Sequence, residues 1–480
     1  MPPGLDALKH IVVLMMENRP FDHMFGALKA QDPRIDGLNG NETNPDVNGN
    51  PVQVQGLADY QGQLDPDPLH DFNDVDFQIF AGSQANPRIA SMEGFVQNYY
   101  KQQNNLGQAA MIMYYFTPDK LPMLTSLARN YAVFNRWFSS IPGPTICNRA
   151  FAHFGTSFGK TDLSVLYLNE KYLSIYQRLV NAGHTAKDYY YDEQSSTQAL
   201  VFLLKQQPKL FGTFSQFLAD CKQGALPEYS FIEPNYSDHD SDTGEEVASD
   251  QHPDHDVRAG EAFISDVYNA IRSNQALWES TALLIVYDEH GGIYDHVPPP
   301  ACTPDEFPDP TTGFQFDRLG IRVPAVLVSP WIPQGTVVDG RVFEHASIPA
   351  TVTSRFLGNY DQRTQREKNA ETFLDLLSLD APRTDYVPPL GAKASATAPV
   401  AMAARVSSFA SQPATQRNPG RPISSLLKSQ VAHFREAEQT LPPDQQTGTD
   451  IRTIQTERDA SAYIGQVTKK LCASAGSSSR

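Results

Sequence analysis

The sequence predicts a three-layer α/β sandwich with a mostly parallel central sheet, followed by a C-terminal helical extension. Three observations predict it. Short apolar runs rich in β-branched and aromatic residues each stop at a polar cluster, as strands buried on both faces do. Helical patterns lie between those runs, and alternating strand and helix argues for helices packed on a parallel sheet. The chain of 480 residues is 40% hydrophobic and 19% charged, enough to bury a large core.

The first strand is "HIVVLMM", ending before Glu17 and Asn18. "AKDYYYD" and "EYSFIEPNY" follow, ending at Asp192 and near Tyr236. "TALLIVYDEHGG" and "IRVPAVLVSPW" complete the set. The helices include "LSIYQRLVNAG", with Gly183 as its stop, and "GEAFISDVYNAIRSN". In open α/β sheets the ligand crevice lies outside the carboxyl ends of the strands, so Glu17 and Asn18 stand where a site begins. The Asn-, Asp-, Gly- and Pro-rich stretch from Asp36 to Asp74 reads as a loop bordering a substrate entrance. Residues 1–360 read as a catalytic domain and 361–425, rich in Ala, Ser and Pro, as a linker or extended wrap. Residues 426–480 hold two amphipathic helices, "LLKSQVAHFREAEQTL" and "ERDASAYIGQVTKKL", expected to pack on the main body. There is no internal repeat.

The net charge of −17 excludes the basic footprint of a nucleic-acid binder and disfavours anionic membrane. No leader-like pattern opens the chain, and the run after His10 is too short to span a bilayer, which leaves a cytoplasmic protein or one exported without a leader. Cys147, Cys221, Cys302 and Cys472 fit neither a disulfide framework nor a zinc site and read as free buried thiols.

Three segments carry chemistry. In "YDEHGG", Asp288 and Glu289 are adjacent carboxylates at a strand end. Two acids forced together hold protons unless a cation neutralises them, and Glu17 with Asn18 offers a second pair of oxygen donors. Either pair alone also fits a turn with solvated acids; two such pairs at strand ends favour a metal cradle. In "SSIPGPTICNRAFAHFGTS" a Pro-Gly-Pro turn delivers Thr145 to a helix start, with Asn148 and Arg149 in the first turn. Helix N–H groups and Arg149 suit a phosphate there, and a cation would activate the Thr hydroxyl. Taken alone, the segment reads better as an ordinary Thr cap with an Arg ion pair. "DQHPDHDVRAGE" brings His252 and His255, either able to protonate a leaving oxygen. His70 and His290 are further candidates, although a lone His is more often structural.

Together these segments resemble a known family. "ENRPFDHMFG" is similar to the E-N-R-S-F-D-H-Y-F-G signature of the phosphoesterases that include bacterial and plant non-specific phospholipases C and AcpA-type acid phosphatases. "PGPTICNR", "DQHPDHDVRAGE" and "YDEHGGIYDHVPPP" resemble that family's later motifs, in order, over roughly residues 10–360. The resemblance implies an alkaline-phosphatase-like sandwich and metal-assisted hydrolysis of phosphate esters. It makes Glu17, Asn18, Asp288 and Glu289 metal ligands and Thr145 both ligand and nucleophile. It puts His252, and less directly His70, near the leaving group. Pro20 replaces the signature's Ser, and Cys147 stands where Pro is usual. In the sulfatase pattern the Arg lies four residues after the nucleophile, a spacing that Thr145 satisfies and Cys147 does not.

The expected reaction is a two-step transfer through a phosphothreonine, with Asn148 and Arg149 taking up phosphoryl charge. One divalent ion is expected (Zn, Ca, Mg or Mn), since four oxygen ligands and the Thr fill one shell. The expected substrate is a phosphatidylcholine-like phospholipid met at most transiently at a membrane surface. Rivals are a broad phosphomonoesterase with the same site, a non-catalytic lipid- or partner-binding descendant, and, more remotely, an arylsulfatase.

Overall fold

The structure is a computed structural model and describes residues 3–162, 172–191, 195–200, 208–241, 244–358, 360–388, 390 and 418–477. Eight strands form the central sheet: β1 (His10–Met16), β2 (Ala132–Phe134), β3 (Ala186–Tyr190), β4 (Phe211–Thr213), β5 (Tyr229–Ile232), β6 (Thr281–Tyr287), β7 (Ala325–Val328) and β8 (Thr336–Val338). Their spatial order is β8-β2-β7-β6-β1-β5-β3-β4. All neighbours pair in parallel except those of β7, which runs against both β6 and β2. The predicted mostly parallel sheet is therefore present, and among the described strands "IRVPAVLVSPW" supplies the reversed one. Every residue of β6 and all of β1 beyond His10 is buried, the two-sided burial that continuous apolar runs imply.

Helices cover both faces. One group comprises α1 (Pro122–Asn130), α4 (Phe214–Gln223) and α5 (Val257–Arg272), with α5 touching the other two. The other comprises α2 (Thr145–Phe154), α3 (Ile175–Asn181) and α6 (Ser347–Val352), with α2 touching both partners. Their ends follow local chemistry. Helix α3 starts at a Ser174/Gln177 capping box and is followed by Gly183 at φ 85°. The side chain of Asp256 caps α5, and Gly155 closes α2 at φ 71°.

The C-terminal helices α7 (Ser425–Gln439) and α8 (Glu457–Ser477) pack on each other; α7 also lies against α2, and α8 against the hairpin strand His239–Ser241. Phe373, Leu377 and Val387, from the segment expected to be a linker or extended wrap, join the main apolar cluster. Residues 391–417 of the expected linker, Asp192, and the side chain of Cys472 lie outside the described residues. The stretch 36–74, expected to be loop, contains a small hairpin, Thr43–Pro45 with Pro51–Gln53. Among the described residues no helix is long and apolar enough to cross a membrane.

Candidate active site

Register builds the site. Met16 pairs with Tyr287, so Glu17 and Asp288 leave adjacent parallel strands side by side. Asn18 then takes a left-handed conformation (φ 57°), turning the chain at once. Gly291 must pass so near this turn that a Cβ there would lie 2.2 Å from the Asn18 carbonyl oxygen, which explains the glycine after "YDEH". The backbone N–H groups of Asn18 and Glu289 donate to Asp288 Oδ1 at 3.0 and 2.7 Å. Arg149 Nε donates to Asp288 Oδ2 at 2.9 Å.

Thr145, the first residue of α2, is buried, and its Oγ1 donates to Asn18 Oδ1 at 3.0 Å. Glu17, Asn18, Asp288 and Thr145 thus lie together from three segments of the chain, and the Glu289 carboxylate, next to Asp288, faces His70, His290 and the Gly291 N–H. Both carboxylate oxygens of Glu17, Oε1 of Glu289 and Nδ2 of Asn18 are buried with no hydrogen-bond partner among the described residues. Such groups are costly to bury, and carboxylates concentrated in this way fit a divalent cation. Burial, then Asp250 and Asp288, push the Glu17 carboxyl well above its usual range. Burial, with Glu289 adding to it and Arg149 opposing it, raises Asp288 to about 6. A bound dication would relieve this repulsion.

The histidines divide into two roles. Burial alone would lower His70, but Glu289 and Asp67 outweigh it and raise it to about 9. Its Nε2 lies 3.8 Å from Glu289 Oε1 and donates to Ser425 Oγ at 2.8 Å. His252 is held by Asp254 at Nδ1, and its buried Nε2 has no hydrogen-bond partner, lying 3.5 Å from Asp67 Oδ2. Burial opposes protonation of His252, yet Asp67 and Asp254 raise its pKa. His255 and His290, like His70, are occupied at both ring nitrogens. His255 bridges Asp250 (2.6 Å) and Glu457 (3.0 Å), and His290 bridges Gln78 (2.7 Å) and Glu289 (3.1 Å).

Asn148 differs from expectation. Its Nδ2 is spent on the carbonyls of Gly143, Ile141 and Pro144, and its Oδ1 on the Ile141 N–H. It shapes the turn that delivers Thr145 and has no free donor for a phosphoryl oxygen. Arg149 is likewise directed inward, to Asp288 and Tyr236. Cys147 is buried, its thiol pushed well up by burial and by Asp162, and it donates to the Asp162 carbonyl. Pro20 caps the short helix Phe21–Phe25 in an extended conformation, while Arg19 ties down the carbonyls of Gln251 and His252.

A cavity of about 1130 Å³ reaches His70; Asp67, Asp254 and Arg258 line one part and Arg421 and Ser425 another. The later part of the 36–74 stretch, from Asp59 to Asp71, supplies much of this lining. Sequence reasoning missed Asp67, Ser425 and Glu457. Asp67 carried a signal, standing three residues before His70; Ser425 and Glu457 meet their partners across 355 and 202 residues and carried none.

A model described as the phosphoesterase family matches residues 8–357. The chain belongs to the phosphoesterase family. Its relatives include non-specific phospholipase C1 of Arabidopsis thaliana, 41% identical over 404 residues, 79% of this chain and 72% of that protein. Non-specific phospholipase C6 of the same plant is 38% identical over 400 residues, 79% of this chain and 74% of that one. A solved protein of the alkaline phosphatase superfamily from Vibrio parahaemolyticus is 10% identical, with a TM-score of 0.30, over 54% of this chain and 63% of that one. As a phosphoesterase, this chain is a hydrolase acting on phosphate esters.

Proposed function

We propose that this phosphoesterase is a metal-dependent phospholipase C that cleaves phosphatidylcholine-like lipids to diacylglycerol and a phosphorylated head group. The observation that carries the metal dependence is the set of buried, unpartnered oxygens of Glu17 and Glu289 beside Asn18, Asp288 and Thr145. The lipid substrate is supported by similarity to the plant non-specific phospholipases C. Glu17, Asn18, Asp288, Glu289 and Thr145 would hold one divalent cation. The all-oxygen donor set suits Ca, Mg or Mn, and Zn is compatible with it. When bound, the cation supplies Lewis acidity and eases ionisation of the Thr145 hydroxyl.

The chain's own residues do the rest. With its proton released to solvent, Thr145 Oγ1 attacks phosphorus; the Oγ1–P bond forms as the P–O bond to glycerol breaks, leaving phosphocholine esterified to Thr145, and Asn148 holds the turn that presents the threonine. His252, protonated and with Nε2 unspent, gives its proton to the departing glycerol oxygen. The same nitrogen then takes a proton from the attacking water, whose oxygen bonds to phosphorus as the Thr145 Oγ1–P bond breaks, releasing phosphocholine and leaving Thr145 ionised for the next attack. His70, cationic beside Glu289, favours the charge developing on the phosphoryl group. Contact with the membrane is transient, in keeping with a net charge of −17.

Comparing p-nitrophenylphosphorylcholine with p-nitrophenyl phosphate, with and without added metal, tests this reading. Metal-dependent release that is faster from the choline diester is expected. Faster release from the monoester would make the protein a phosphomonoesterase with the same residues. Release from neither, with metal present, would overturn the enzymatic account.

A further inference from the structure

Behind the cradle lies a buried polar network that the hydrolysis does not use. Glu233 follows the last residue of β5 and is fully buried. Its carboxylate accepts from Ser195 Oγ (2.7 Å), Ser196 N (2.7 Å), Ser196 Oγ (2.5 Å), Thr197 N (3.1 Å) and the Tyr236 hydroxyl (2.7 Å). Five donors around one carboxylate favour its charged form despite burial. Tyr236 has one proton, and that proton goes to Glu233. Its oxygen then accepts from Arg149 Nη1 at 2.9 Å, with the guanidinium 5.2 Å from the ring centroid. The direction of this relay is forced, because an arginine only donates and a carboxylate only accepts.

We infer that Glu233 and Tyr236 are positioning residues for the cradle, acting through Arg149 on the Asp288 carboxylate. Arg149 is gripped at Nη1 by Tyr236 and presents Nε to Asp288 Oδ2. With the two backbone donors on Oδ1, that contact fixes the carboxylate plane. Charge gives the second reason. Without Glu233, the buried Arg149 would have only the cradle acids to balance it and would compete with an incoming cation for Asp288. A separate anion, reached through a neutral hydroxyl, balances part of the Arg149 charge and so weakens that competition while Arg149 Nε stays on Asp288 Oδ2. Outer groups that orient metal-binding side chains commonly tune affinity in this way.

This inference rests on the metal-cradle reading of the site, and the test separates the two. Mn(II) titration by calorimetry and p-nitrophenylphosphorylcholine hydrolysis are measured on wild type, Tyr236→Phe and Glu233→Gln, each checked for folding by its thermal transition. Tyr236→Phe keeps the ring on Arg149 and removes only the relay. Both variants are expected to bind Mn(II) about 10–100-fold more weakly and, at saturating metal, to lose kcat while KM stays put. In an Arg149→Lys background, Tyr236→Phe should cause no further loss. Variants that are merely less stable, with wild-type Mn(II) affinity and kcat, would overturn the inference alone, as would losses that add independently to those of Arg149→Lys. A wild-type protein that binds no Mn(II) would overturn the cradle and this inference together.

Discussion

Acid should loosen the helix that carries Thr145, and the buried His153 on α2 sets how much. Its Nδ1 has no partner, its Nε2 faces Thr197 Oγ1 at 3.4 Å, and its ring meets Phe231 edge-on at 4.8 Å. Burial first, and then Arg149, push its pKa down from 6.5 to about 3, against the pull of Glu233. A histidine depressed in the folded state contributes stability that is complete above its unfolded value and is lost as pH falls from 6.5 toward 3. At about pH 5 the unfolded chain is mostly protonated at this site and the folded chain is not, a difference of about 2 kcal/mol against folding. Urea denaturation of wild type and His153→Gln, at about pH 7.5 and about pH 5, isolates this contribution, because titrations shared by both proteins cancel. Wild type should lose about 2 kcal/mol more than the variant on acidification. Equal losses in both would refute the argument. The outcome also bears on an acid-phosphatase role, since a fold that weakens at low pH is poorly suited to work there.

Thr145→Ala should abolish turnover in the p-nitrophenylphosphorylcholine assay while leaving the thermal transition near that of wild type; substantial residual turnover would remove Thr145 as nucleophile. Arg322→Ala should destabilise the fold by about 3–5 kcal/mol in urea denaturation, because the buried Asp295 loses its guanidinium partner (3.2 Å) and Asp22 (2.9 Å) keeps only His296. Metal at about 100 times its dissociation constant should stabilise the protein by about 2.7 kcal/mol, and a chelator should remove that gain. No shift of the denaturation midpoint with metal would contradict the cradle.

The proposed cradle is legible in the sequence because its strands are buried on both faces. Continuous apolar runs made β1 and β6 visible, and the first polar residues beyond them, Glu17, Asn18, Asp288 and Glu289, mark the carboxyl ends of adjacent strands. Strands β2, β4 and β8, three residues each, are too short to leave a run, and the reversal of β7 depends on which neighbours it meets. Asn148 illustrates the limit at the site itself. Its place in the first turn of α2 suggested a phosphate contact, but an amide matches the carbonyls of a tight turn equally well, and only the folded turn shows which it serves. Glu233 and Tyr236 were read simply as the end of a strand, because their meaning depends on Arg149, more than eighty residues away.

The proposed covalent step at Thr145 is tested most directly by mass spectrometry of metal-loaded enzyme acid-quenched during turnover of p-nitrophenylphosphorylcholine. The peptide containing Thr145 should carry the mass of a phosphocholine group, localised to that side chain and lost in Thr145→Ser only by transfer to the serine. Rapid turnover with every Thr145 peptide unmodified at all quench times, and with solvent oxygen incorporated into phosphocholine in a single displacement that inverts phosphorus, would contradict it.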